Sequence, residues 1–245
     1  MDSILSEIVS ALKLNSRGAA LLQGGRYGKA ISAFSQSLAT LKEALSQLQG
    51  DESAEFPAGF AFEFAEPSTK AKELSVESDI SATATTSRAI FQSPIKIMIG
   101  GFSASSTGTS QSTSKSMIRV SFAILFNLSV AFHMNACQDS GKESSLRRLK
   151  KSVMLYEKAY NMMNNKRDLS RGCTLEIMAI LNNIAHAHEA LGNTQQARRC
   201  YEIVLSSVFA IAYSGERSSV RRFELFLNNA LGYIAPDHSH TAAAA

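Results

Sequence analysis

The sequence predicts an all-α protein built from antiparallel helix hairpins and interrupted by a long low-complexity insertion. Three observations predict it. Residues 117–234 contain no proline and keep a helical hydrophobic period throughout. Three of the four prolines (Pro57, Pro67, Pro94) fall instead in residues 51–116, which also hold a serine- and threonine-rich run at 103–116. A small residue followed four positions later by an aromatic recurs three times, at Ala30/Phe34, Ser152/Tyr156 and Ala197/Tyr201. The 245 residues, 45% hydrophobic and 19% charged, suffice for a packed core and are too apolar for general disorder. Three cysteines, an odd and sparse set, exclude a disulfide-stapled scaffold.

Residues 1–50 read as the N-terminal helices. Asp2 and Glu7 stand where a secretory leader carries positive charge, so no signal peptide is expected and the cell interior is the expected compartment. Leu14–Leu22 keeps helical spacing, Gly24 and Gly25 mark a reversal, and Tyr27 opens the second helix. Residues 51–116 read as an insertion, first acidic and then rich in serine and threonine. The run at 103–116 has almost no apolar surface to offset chain entropy. Within the insertion, Ala89–Ile99 is β-branched around Pro94, which predicts an extended segment: an edge strand, or a strip laid on the helices. Phe56, Phe60, Phe62 and Phe64 are its expected anchors.

Residues 117–234 read as further helix pairs. Met117–Met134 is apolar enough to suggest a membrane span, but it carries Arg119, Asn127 and His133. It is expected to be a helix buried among other helices, with no membrane insertion. An enlarged turn is expected over Asn135–Glu143. The last helix, about Glu216–Tyr233, is expected to bury Val220, Phe223, Leu227, Ala230 and Leu231 and to expose Arg217, Arg221 and Arg222 as a cap on the stack. Residues 235–245 are expected to fray.

Each small residue of the repeat has a counterpart on the preceding helix: Gly18, Ser129 and Ala185. Small residues let two crossing backbones approach, and the aromatic one turn on fills the space beside them. Gly25 and Gly192 stand where the first helix of a pair must stop in a left-handed residue. On Gly18, Leu21, Gly25, Tyr27, Ala30 and Phe34, and on Leu181, Asn183, Ala185, Gly192, Ala197 and Tyr201, the chain resembles the tetratricopeptide-repeat (TPR) family. It is also loosely similar to a group of uncharacterised TPR-like proteins predicted from microalgal genomes. The resemblance covers about half of the chain and is to a degenerate array, since the units are not contiguous and none ends in proline.

The resemblance implies a right-handed superhelix with a concave groove that takes a peptide or a helix. It places Asn15, Ala19, Leu22, Phe126, Asn127, Val130, His133, Asn182, His186 and Glu189 in that groove. A clamp for a terminal carboxylate is not expected, because of the residues at the required positions only Asn127 fits.

No catalytic template fits. Gly100, Gly101 and Gly108 are followed by no Gly-Lys-Ser/Thr, so a phosphate loop is absent. His186 and His188 lie about 200° apart around a helix axis and cannot share a metal; His188 is expected in the core and His186 in the groove. His238 and His240 are expected in solvent. Cys137, Cys173 and Cys200 show no CxxC spacing and read as reduced thiols. Neither an enzyme nor a cofactor is expected.

Charge is segregated, with a net −7 over residues 43–79 and +6 over 142–171. One expectation is that the acidic insertion folds over the basic helix and competes with an acidic ligand. The leading expectation for function is a non-catalytic scaffold with a protein or peptide partner. The alternative is a nucleic-acid-binding repeat using Arg147, Arg148, Lys150 and Lys151, a run that also fits a nuclear localisation signal and puts the nucleus beside the cytoplasm as a location.

Overall fold

The computed structural model of the chain describes residues 2–48, 60–65, 89–99, 110–139, 141–164, 174–214 and 220–234. They form seven helices and one two-stranded sheet. The order is α1 (Asp2–Gln23), α2 (Tyr27–Leu48), β1 (Phe60–Phe64), β2 (Ile95–Ile99), α3 (Ser110–Gln138), α4 (Lys142–Asn164), α5 (Thr174–Ala190), α6 (Thr194–Ser214) and α7 (Val220–Ile234). Neighbouring helices pack in antiparallel pairs. The chain divides into two compact units: residues 1–80 with 92–172, and residues 81–91 with 173–245.

In the first unit α1 packs on α2, α2 on α3 and α3 on α4. The α1–α2 crossing turns on Gly18, where a Cβ would lie 2.5 Å from the Phe34 ring. Here glycine supplies room. Gly25 supplies conformation instead: its φ is +69°, and a Cβ there would meet nothing within 4 Å. The reversal is a Schellman turn, with Arg26 N donating to Leu21 O (2.9 Å) and Gly25 N to Leu22 O (3.0 Å). Ala30 and Phe34 are fully buried, and the buried Ser37 hydroxyl crosses to the Ala11 carbonyl at 2.7 Å.

The enlarged turn expected over 135–143 is not there. The chain is helical to Gln138 and again from Lys142, so the extra sequence is spent on additional helical turns. Asp139 makes the tight connection. One carboxylate oxygen accepts from Gly141 N (3.0 Å) and the other from Ser144 Oγ (2.7 Å) and Arg148. These donors hold the Asp139 carboxyl at about 2. Helix α3 also starts earlier than expected, at Ser110 inside the serine-rich run. Residues 110–116 contain neither glycine nor proline, and extending a nucleated helix is far easier than starting one.

Among the described residues, Ser116–Gln138 is the one helix long and apolar enough to cross a membrane. Every residue from Phe122 to Ala131 is buried inside the first unit. The sheet belongs to this unit too. β1 and β2 pair antiparallel, Phe60 opposite Ile99 and Phe64 opposite Ile95, and Ala65 N extends the ladder to Pro94 O (2.8 Å). β2 packs on α1 and α3, with Ile95 and Ile97 buried and Lys96 and Met98 exposed, the alternation of a strand with one covered face. Of the expected anchors, Phe64 meets Phe126 edge-on at 5.8 Å and Phe62 lies under the Arg119 guanidinium at 4.3 Å. Phe60 is half-buried, and Phe56 lies outside the described residues.

In the second unit α5 packs on α6, and α7 on both. The α5–α6 reversal repeats the first: Gly192 has φ +75°, Asn193 N donates to His188 O (2.8 Å) and Gly192 N to Glu189 O (2.9 Å). Ala197 and Tyr201 are fully buried, as the repeat predicts. The face that α7 buries differs from the expected one. Phe226, Asn229 and Ala230 are buried, Phe223 and Leu227 are half-buried, and Leu231 is exposed. The cause is the extended segment, which packs on Phe226 and Asn229 and rotates the covered stripe toward them. The side chains of Val220, Arg221 and Arg222, together with Arg217, lie outside the described residues.

Candidate functional site

The buried polar side chains carry a pattern that apolar periodicity cannot reveal. Asn15, Asn127, Asn182, Asn183 and Asn229 are all buried, and all stand on odd-numbered helices. A helix-borne asparagine in a core is costly unless its carboxamide is fully used. Here the carboxamides of Asn127, Asn182, Asn183 and Asn229 are used on the backbone of residues 89–95.

In the first unit Asn127 Oδ1 accepts from Ile95 N at 2.7 Å, and its Nδ2 donates to Ile95 O at 2.9 Å. One carboxamide thus takes both polar groups of one residue. An extended residue points its N–H and C=O to the same side, and a carboxamide presents a matching acceptor and donor, so Asn127 stands in for the third strand of the sheet. The second Nδ2 hydrogen goes to Asn15 Oδ1 (3.0 Å). Asn15 Nδ2 has no hydrogen-bond partner among the described residues.

The second unit repeats the arrangement twice. Asn183 accepts from Phe91 N (2.8 Å) and donates to Phe91 O (2.9 Å). Asn229 accepts from Ala89 N (3.0 Å) and donates to Ala89 O (2.7 Å). Asn182 ties the two together: its Oδ1 accepts from Asn229 Nδ2 (2.7 Å), and its Nδ2 reaches Asn183 Oδ1 (3.2 Å) and Ala89 O (3.3 Å). The Phe91 ring lies on the Phe226 ring, centroids 5.4 Å apart and 23° from parallel. Ile90 and Phe91 are buried, while Ala89 and Gln92 are exposed.

The residues expected in a groove therefore divide. Asn15, Asn127 and Asn182 hold backbone or one another, as described. Ala19, Leu22, Val130 and His133 are buried in the first unit's core, with the His133 ring edge-on to Tyr156 at 6.1 Å. Phe126 is buried among Phe64, Phe122 and Tyr156. His186 and Glu189 are half-buried on α5. His188, expected in the core, is also only half-buried: it lies in the last turn of α5, and its Nδ1 meets Asn193 Nδ2 at 3.2 Å.

Sequence reasoning missed Asn183 and Asn229 as site residues. The signal was present: Leu125-Phe-Asn127, Leu181-Asn-Asn183 and Leu227-Asn-Asn229 put an asparagine two residues after a leucine in three helices, and those three are the clamps.

The basic face is only partly paired. Arg147 pairs with Glu143 (3.0 Å), Arg148 with Asp139, and the Lys151 ammonium lies 5.6 Å from the Phe132 ring centre; Lys150 is exposed. Desolvation pushes the Cys137 thiol up, opposite to what a nucleophile needs. Among the described residues no group of three metal-ligating side chains occurs. Gly100, Gly101, Gly108, Cys173, His238, His240 and most of the acidic segment lie outside the described residues.

Comparison with known proteins finds no match, whether among family models, curated proteins or solved structures.

Proposed function

We propose that this chain is a non-catalytic protein-interaction module, a TPR-like right-handed superhelix that binds a peptide through its odd-numbered helices. One observation carries the reading: Asn127, Asn183 and Asn229 each take both the N–H and the C=O of a single extended residue. Such paired contacts match the N–H and C=O of an extended polypeptide backbone, the group they hold here. The matched Schellman reversals at Gly25 and Gly192, and the Gly18–Phe34 crossing, support the TPR-like part of the reading. Arg148 is engaged by Asp139 ahead of α4, whereas Arg147 and Lys150 are exposed and make the basic face the second reading to be tested.

The test is affinity capture from native lysate with and without nuclease, using the wild-type chain and the Arg147→Glu/Lys150→Glu double variant. The module reading expects protein partners that survive nuclease and charge reversal. Partners lost under both treatments would overturn it in favour of the basic face.

A further inference from the structure

The seat of Ala89–Phe91 on α5 and α7 has features of a ligand site beyond those of a core. Its contacts go to backbone groups that every non-proline residue carries. Residues 89 and 91 present those groups on one edge of an extended chain, as a β-type peptide ligand does. The segment is remote in sequence from its clamps, 92 residues from Asn183 and 140 from Asn229. The clamps are also oriented without it. Asn229, Asn182 and Asn183 hydrogen-bond in series, so the carboxamides keep their direction if the segment leaves. Selectivity comes from two buried side chains, Ile90 and Phe91, the latter stacked on Phe226.

We propose that the Asn182–Asn183–Asn229–Phe226 seat is a peptide-binding site filled by the chain's own segment, and that its external ligand is an extended peptide of another protein with an aliphatic residue followed by an aromatic one. The proposal rests on the interaction-module reading and adds to it the ligand class and the competition. The chain's own segment is covalently joined to the fold, so it competes for the seat at an intramolecular effective concentration that an outside peptide must exceed. An outside peptide binds only to the fraction of molecules whose seat is open, and its apparent affinity falls by that fraction.

The experiment is fluorescence anisotropy with a labelled peptide of residues 86–93, titrated with full-length wild-type chain and with full-length Phe91→Ala, which loses its internal anchor and keeps every clamp. Phe91→Ala is expected to bind the peptide at least about tenfold more tightly than wild type. Adding Asn183→Ala to that variant is expected to abolish binding, as is N-methylation of the peptide at the Phe91 amide, which removes the one hydrogen that Asn183 Oδ1 accepts from it. A folded Phe91→Ala chain that binds no better than wild type, or an N-methylated peptide that binds equally well, overturns the proposal.

Should Phe91→Ala fail to fold, protease sites placed in residues 66–88 and at the exposed Gln92, ahead of β2, take its place in the otherwise native chain. After cleavage, the freed segment is expected to exchange with labelled peptide on size exclusion, and failure to exchange overturns the proposal. The two readings fail separately. Nuclease-resistant partners captured equally by wild type, Phe91→Ala and Asn183→Ala would keep the module and remove this seat.

Discussion

A carboxamide is the one side-chain group that copies a peptide unit, and this protein uses that likeness three times. Asn183→Asp is therefore expected to damage the seat nearly as much as Asn183→Ala. Aspartate keeps the acceptor for Phe91 N but sets an oxygen against Phe91 O, whereas alanine leaves both groups unpaired. Each buried unpaired group costs ~1–3 kcal/mol, measured here by urea unfolding. Asn15→Ala is expected to cost less than Asn127→Ala, because Asn15 already leaves its Nδ2 hydrogens unpaired. Gly18→Ala forces a methyl against Phe34 and is expected to cost ~1–3 kcal/mol, whereas Gly18 flanked by a smaller residue at 34 should tolerate it. Asp139 predicts a pH dependence of known sign. Its carboxyl is held at about 2, below its ordinary 3.8, so its contribution is present above pH 4 and lost as pH falls toward 2. The stability difference between wild type and Asp139→Asn should be constant at neutral pH and shrink across that window.

At the scale of elements, the helices were legible because small residues and aromatics recur at fixed spacing, and both predicted glycine reversals carry positive φ. The strip at 89–99 was legible from its β-branched residues around Pro94, and the structure makes it both things expected of it: residues 89–91 lie on helices, and 95–99 form a strand. The partner strand β1 was foreseen only as a set of aromatic anchors. Helix faces were harder to read. Hydrophobic spacing selected Leu231 for burial on α7, while the structure buries Asn229, since a carboxamide bonded to a backbone is as well satisfied inside as a leucine. The same blindness left Asn183 out of the expected groove. Overpacking tests the hairpins: Ala197→Leu, at a fully buried crossing, is expected to lower stability by ~1–3 kcal/mol, and an unchanged melting temperature would remove the repeat alignment.

At the scale of the molecule, the first unit takes part of its core from the strands between α2 and α3, and the second from residues 89–91, which precede its helices by a long interval. Deleting residues 51–116 therefore strips out core. It removes Phe64, Ile95 and Ile97 from the first unit and Ile90 and Phe91 from the second, and it leaves Asn127, Asn183 and Asn229 without their partners. The expected outcome is loss of stability and binding together, read by thermal unfolding of the deletion variant. The account stands most directly on the backbone clamps, and site-resolved amide hydrogen exchange on the full chain tests them. The Phe91 and Ile95 amides should exchange on the order of a hundredfold more slowly than free peptide, and Asn183→Ala should release Phe91 while leaving Ile95 protected. Free exchange of both amides in the wild-type chain would contradict it.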